Sequence, residues 1–333
     1  MHRGIFDNLP EEPAYKDAPK RWIIELLQCD IFWYELITNQ PKEFDYKGYV
    51  SSRMNALKEN LRKTVDKRFI YFIASRKKIR IIRAKYTLFG NSIYMKLRIG
   101  RNKTKSIRIP LPRGLARGDR PILTTTDTLM TWTFESGQIV SSPIHDFLRN
   151  NHVDIGVNTE IHYAGFTENP AKRPIDRKHR GLSDVLHNVS NEEFDFFIIY
   201  NLFNVHSYAE NNTYGINFSL PNSLIDEVRV DEEGKILEGI FIKYFNTAAQ
   251  ELDKRNEIRQ LENRLRTLLY KHKILSVSVN MEIDDESEYY NFFSRAVSPR
   301  RRNLFRCYLN EGNAVIDELD NIQQLLDLEK TSS

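Results

Sequence analysis

The chain has only two cysteines in 333 residues, Cys29 and Cys307, far apart in sequence. That excludes a disulfide framework and a cysteine-built metal centre. No apolar run approaches the roughly 20 residues of a membrane span, so no membrane partner is expected. The opening residues M-H-R-G-I-F-D-N-L-P lack the charged-then-apolar order of a secretory signal, which points to a cytoplasmic protein. The eight histidines show no H-x-x-x-H or comparable spacing, which argues against zinc. There is no internal repeat and no low-complexity tract. What remains is an ordinary globular composition, 41% hydrophobic and rich in Phe and Tyr, ample for a core and long enough for about two domains.

Acidic residues are also missing, but only locally. Between Lys67 and Arg120 the sole acid is Asp119, against seventeen Lys and Arg. This stretch carries +16 of a chain whose net charge is +4, leaving about −12 elsewhere. A field of that size attracts a polyanion. DNA is the expected partner, with RNA as the alternative.

Helical spacing of Trp22, Ile23, Leu26, Leu27, Phe32, Trp33, Leu36 and Ile37 predicts a helix over 21–38. A second, amphipathic helix is expected over 48–66. Residues 68–111 change period. Phe69–Ile73 reads as an apolar strand, and the segments after it alternate as a meander with one apolar and one basic face. On that basic side Arg80, Arg83, Lys96, Arg98, Arg101, Lys103, Lys105 and Arg108 are the candidate phosphate contacts, with Tyr94 for stacking. A merely solvated face has the same pattern, but the scarcity of acids favours contact. Residues 112–126 read as a linker and 129–134 as a strand. A short helix is expected over 144–150, a buried strand over 193–201 and loops over 204–222. Helices follow over 226–245, with Gly234 interrupting, and over 247–273. A strand is expected over 274–283, a basic segment over Arg295–Arg306, and a last helix over about 315–326.

The stretch Glu160–His179 carries the most chemistry. It reads E-I-H-Y-A-G-F-T-E-N-P-A-K-R-P-I-D-R-K-H. A short strand places Ile161 and Tyr163 on one face and His162 on the other, Gly165 ends it, and Thr167-Glu168-Asn169-Pro170 starts a helix. Tyr163 and Arg173 then converge near a helix N-terminus, where a phosphate can be gripped. An ordinary strand-turn-helix with a solvated basic turn reads the same way. Glu238 lies among apolar neighbours in I-L-E-G-I-F-I, where a carboxylate is costly unless it is paired, hydrogen-bonded or metal-bound. One carboxylate, with waters and phosphate oxygens, suffices for Mg²⁺ or Mn²⁺.

This arrangement resembles the GIY-YIG nuclease superfamily. Tyr163-Ala164-Gly165 is similar to its second tripeptide, F-T-E-N-P-A-K-R to its turn into the arginine-bearing helix, and L-E-G-I-F-I to the helix with the metal-binding glutamate. The resemblance covers about 125–250. It implies an α+β fold, a small mixed or antiparallel sheet with flanking helices, beside an N-terminal helical and basic β-rich domain. It also implies a metal-dependent endonuclease in which Glu238 holds the metal, Arg173 meets the transition-state charge, and Tyr163 with His179 activates water. No Gly-Ile-Tyr tripeptide stands in the expected first strand, 128–134, which has Trp132 but no tyrosine.

The expected organisation is a nucleic-acid-binding domain over 1–120, a nuclease domain over 125–250, and C-terminal helices over 251–333 that support it or form a homodimer. The expected function is hydrolysis of DNA phosphodiester bonds, in restriction or phage defence by analogy. The alternative is a non-catalytic nucleic-acid-binding or assembly protein that keeps a nuclease-like fold.

Overall fold

In a computed structural model the described residues are 4–39, 42, 44–63, 69–88, 91–111, 120–167, 180–189, 192–211, 215–247, 254–282 and 291–326. In chain order the strands are β1 (Lys20–Trp33), β2 (Phe69–Lys77), β3 (Ile79–Tyr86), β4 (Ser92–Ile99), β5 (Lys103–Pro110), β6 (Ile122–Thr125), β7 (Leu129–Thr133), β8 (Ile139–Pro143), β9 (Thr159–Thr167), β10 (Phe194–Asn211), β11 (Ile216–Pro221), β12 (Ile274–Glu282), β13 (Phe292–Phe293), β14 (Arg302–Asn310) and β15 (Asn313–Glu318). Nine of them form one mixed sheet in the order β13-β9-β2-β10-β1-β12-β14-β15, with β11 also paired to β10. Two three-stranded antiparallel sheets, β3-β4-β5 and β6-β7-β8, stand apart from it. The fold is therefore α+β. Its large sheet takes strands from all three segments that composition separates.

Several expectations are corrected. Lys20–Trp33 is a strand rather than a helix, and only Tyr34–Thr38 is helical. It runs between β10 and β12, with Ile31, Phe32 and Trp33 all buried. A strand covered on both faces shows a continuous apolar run, which also satisfies helical spacing. The Asn- and Ser-rich region after residue 204 is not a loop: His206–Asn211 pairs with Ile216–Pro221 as a hairpin. Residues 313–318 form a strand, and only Gln323–Leu326 is helical there. The strand over 129–133 exists but belongs to a small sheet, so it is not the neighbour of β9.

The helix Val230–Phe245 carries the apolar core of the large sheet. Phe241 meets Phe72 at 5.3 Å and Phe203 at 5.1 Å between ring centroids. Gly234 does not interrupt this helix. It makes room for the ring of Phe166, whose Cζ would lie 2.6 Å from an added β-carbon. The helix Lys254–His272 packs behind it, where a β-carbon on Gly239 would come within 3.1 Å of Leu261. Leu261, Leu265 and Leu268 are buried within their own chain, so the stripe expected to pair two copies is already covered. Among the described residues, no helix is long and apolar enough to cross a membrane.

The small sheets lie in an insertion, 78–158, between β2 and β9. A buried polar joint closes its root. Asp195 on β10 accepts from Arg80 Nη1 at 2.8 Å, Arg80 Nη2 at 2.9 Å and His145 Nε2 at 2.9 Å. Burial raises that carboxyl, but the bonds from His145 and Arg80 outweigh it and hold it at about 2. Burial pushes His145 down to about 4, so it is a neutral imidazole that donates from Nε2. At the other root, Arg76 Nε and Nη2 donate to Thr159 Oγ1 at 3.1 and 2.6 Å.

Candidate active site

Strand β9 pairs with β2, and the pairing slips by one residue. Tyr71 faces Gly165 and Ile73 faces Tyr163, but Ala74 faces Ile161. His162 is the extra residue of a bulge. Strict alternation would put Ile161 and Tyr163 on one face. The bulge sends them to opposite faces and turns Tyr163 toward Tyr71, which is what such an insertion does to a strand. The two phenol rings stack at 5.9 Å between centroids, tilted by 22°. His162 is buried, with Nε2 2.7 Å from Ser75 Oγ.

Gly165 does not end the strand, which continues to Thr167. Its hydrogen is required instead. A β-carbon there would overlap Cζ and Oη of Tyr71 and lie 2.8 Å from Cε1 of Tyr163. Glycine thus lets the first phenol lie across the strand beside the second.

Glu238 reaches β9 from the Val230–Phe245 helix. Its Oε1 accepts the backbone N–H of Phe166 at 3.1 Å, and its side chain is half-buried. The helix packs on the face of Phe72 and Phe166, opposite to that of Tyr71 and Tyr163, so Glu238 reaches the backbone of β9 one residue past Gly165 and not the tyrosine rings themselves. Tyr71 is fully buried, at 1% exposure, while Tyr163 is half-buried. Among the described residues, no group of three or more His, Cys, Asp or Glu converges on a metal cage. A half-buried single carboxylate fits Mg²⁺, which dehydrates reluctantly and keeps most of its waters. Arg173 and His179 lie outside the described residues.

Tyr71 is the residue that sequence reasoning missed. The signal was present as Phe69-Ile70-Tyr71 on an apolar strand. It was obscured because two sheets intervene before β9.

The basic face is built by β3, β4 and β5. Arg83 stands opposite Lys96, and Tyr94 lies between Lys85 and Arg108. Like charges directly opposite destabilise a sheet, so folding alone does not favour this arrangement. Among the described residues Arg83, Lys96, Arg98 and Lys103 form no ion pair, and all four are exposed. Arg101 pairs with Glu192 and Glu193, both at 2.9 Å. Arg108 Nε donates to Ser92 Oγ at 3.1 Å, and Lys105 reaches the Asp154 carbonyl at 3.5 Å. Arg80 is not part of this surface. It is buried in the joint with Asp195, and its guanidinium also lies 3.1 Å from Glu35.

Comparison with protein-family models, with curated proteins and with solved structures gave no match.

Proposed function

We propose that the chain is a metal-dependent endonuclease of GIY-YIG type that hydrolyses DNA phosphodiester bonds. The observation that carries this reading is the stacking of Tyr71 on Tyr163 across Gly165, with Glu238 bonded to the next amide. The first-strand tyrosine that 128–134 lacks is supplied by Tyr71, with Phe69-Ile70-Tyr71 in place of Gly-Ile-Tyr.

In this reading Tyr163 is the phenol that hydrogen-bonds and orients the attacking water. Tyr71 fixes its ring and offers a second hydroxyl for proton handling. Glu238 would hold Mg²⁺ or Mn²⁺, which when bound polarises the phosphate and stabilises its developing charge. Arg173 and His179 are assigned the transition-state cation and a proton-handling role. The cationic face of β3–β5 supports a polyanion as substrate. A cutter with its own gripping sheet fits a cytoplasmic restriction or phage-defence nuclease. RNA is the alternative polyanion.

The burial of Tyr71 favours a second reading, a nucleic-acid-binding protein that keeps the fold without the chemistry. A plasmid incubated with Mg²⁺ or Mn²⁺ beside Glu238→Ala separates the two. Metal-dependent products lost in the variant, with binding retained, are expected. Binding without cutting under both metals would overturn the nuclease reading and leave the binding one.

A further inference from the structure

The outer face of β3–β5 carries more than charge. The inward residues of β4, Ile93, Met95, Leu97 and Ile99, are all buried, and Tyr94, Lys96 and Arg98 alternate to the other side. Cross-strand register completes that face in rows. Lys85 and Arg108 flank Tyr94, Arg83 and Ser106 flank Lys96, and Thr104 lies beside Arg98. No acidic residue stands in any of the three strands.

Two groups here are not cations. Tyr94 Oη lies 2.9 Å from Ser106 Oγ. Ser106 is its diagonal neighbour on β5, so the phenol ring lies along the sheet instead of standing on it. The ring is half-buried, with Lys85, Lys96 and Arg108 around it. Ile82 is the extra residue of a bulge in β3, between Ile81 opposite Leu97 and Arg83 opposite Lys96. It is 49% exposed and adds apolar surface beside that pair of cations.

Alternate residues of a strand stand about 6.8 Å apart, close to the spacing of successive phosphates in an extended polynucleotide. Lys96 and Arg98 can therefore each take one phosphate of a single strand that runs along β4, while a base lies on Tyr94. A duplex cannot use the face in this way. Its bases stack on one another and turn only their edges into the grooves. It meets the cations with its phosphates and leaves the ring unused.

We infer that the outer face of β3–β5 binds an unpaired, single-stranded stretch of nucleic acid, with a base stacked on Tyr94 and consecutive phosphates on Lys96 and Arg98. A cationic surface with an aromatic side chain under a base holds single strands without reading their sequence. This rests on the nucleic-acid part of the reading above and not on its chemistry. On that reading the substrate is DNA that carries an unpaired segment. Single-stranded RNA offers the same base faces and phosphates, and the test separates the two.

The test uses the full-length protein and fluorescence anisotropy without divalent metal. The probes are a mixed-sequence DNA single strand, its blunt duplex and the RNA single strand of the same sequence. Tyr94→Leu keeps an apolar side chain and removes the ring. Tyr94→Phe keeps the ring and removes only the bond to Ser106. Tyr94→Leu should weaken binding of the single strand about tenfold more than binding of the duplex, the worth of one stacked base. Tyr94→Phe should keep the wild-type preference. An equal loss on both DNA probes, or no loss on the single strand, would overturn the inference. If Tyr94→Leu does not fold, the wild type decides. A single strand containing iodouracil and cross-linked by light should attach at Tyr94, and attachment only elsewhere would overturn the inference. The same loss on RNA, with RNA bound more tightly than DNA, would uphold the platform and make RNA its strand. Cleavage is read separately, with Mg²⁺. Wild type should cut a duplex bearing a single-stranded arm at a lower KM than a blunt duplex, and Tyr94→Leu should erase that difference. Cutting at equal KM on both would overturn the substrate assignment and leave the nuclease intact. If wild type binds but cuts neither, the nuclease reading fails, and the anisotropy result alone decides the inference.

Discussion

Gly165→Ala is the sharpest probe of the tyrosine pair. Its β-carbon would overlap Tyr71 Cζ and Oη and crowd Tyr163. Tyr71 cannot yield into solvent, because its ring is buried and stacked on Tyr163. Overpacking of this kind costs about 1–3 kcal/mol. Gly165 has no left-handed backbone, so the stiffer unfolded chain of the alanine variant returns about 0.4–1 kcal/mol. The net expectation is a loss of about 1–2 kcal/mol in urea denaturation, with cleavage reduced at least as far as in Tyr163→Phe. Tyr71→Leu removes the two closest of the three atoms that the new methyl strikes and leaves the half-buried Tyr163 ring room to give way. In that background Gly165→Ala should cost nothing or stabilise slightly, giving a coupling energy of about 1–3 kcal/mol in a double-mutant cycle. Additivity within about 0.5 kcal/mol would refute the placement of Tyr71 over Gly165.

Three further outcomes are expected. Asp195→Ala leaves Arg80 buried without its carboxylate and should cost about 3–5 kcal/mol, read as a shift in denaturation midpoint; a loss below about 1 kcal/mol would mean that water screens the joint. His145 and His162 sit near pH 4 when folded against an ordinary value of 6.5, so the unfolded chain binds more protons between these values. Stability should be complete above about pH 6.5 and fall as pH drops toward 4. His162→Asn should flatten that slope in thermal melts, and an unchanged slope would exclude His162 as its source. Lys96→Ala and Arg98→Ala should each reduce the salt slope of DNA binding by about 0.9 with stability within about 0.5 kcal/mol. Arg80→Ala should instead destabilise the protein, and a folded Arg80→Ala with a reduced slope would reverse our reading of that residue.

What could be read from the sequence followed from periodicity wherever one face of an element meets water. The alternation of β4, the amphipathic pattern read over 48–66 and found as a helix over Tyr46–Lys63, and the apolar stripe read over 247–273 and found on Lys254–His272 were legible for that reason. Lys20–Trp33 was misread because burial on both faces at its two ends, Lys20–Trp22 and Asp30–Trp33, erases the alternation that marks a strand. The bulge at His162 left no trace in composition, yet it decides which way Tyr163 points. Glu238 stood out because a carboxylate among apolar neighbours requires a reason. Tyr71 did not, because an aromatic in an apolar strand is what any core contains. Arg80 looked like its basic neighbours. Its partner Asp195 is distant in sequence, so only the fold shows that this cation is spoken for.

The insertion between β2 and β9 also sets the order in which the molecule can assemble. Each small sheet is joined by short turns and can form from local contacts, the fast kind. Bringing Tyr71 to Tyr163 instead requires closing a loop of about 80 residues, 78–158. That costs about 2 kcal/mol more entropy than closing a ten-residue turn. If the insertion folds first, its own compactness draws its roots together and the closure becomes local. The joint of Arg80 and His145 on Asp195 then latches one root to β10. Tyr71 and Tyr163 would thus be among the last groups to meet, and on the nuclease reading a chain still emerging or half-folded would carry its cationic sheet before its candidate site had assembled.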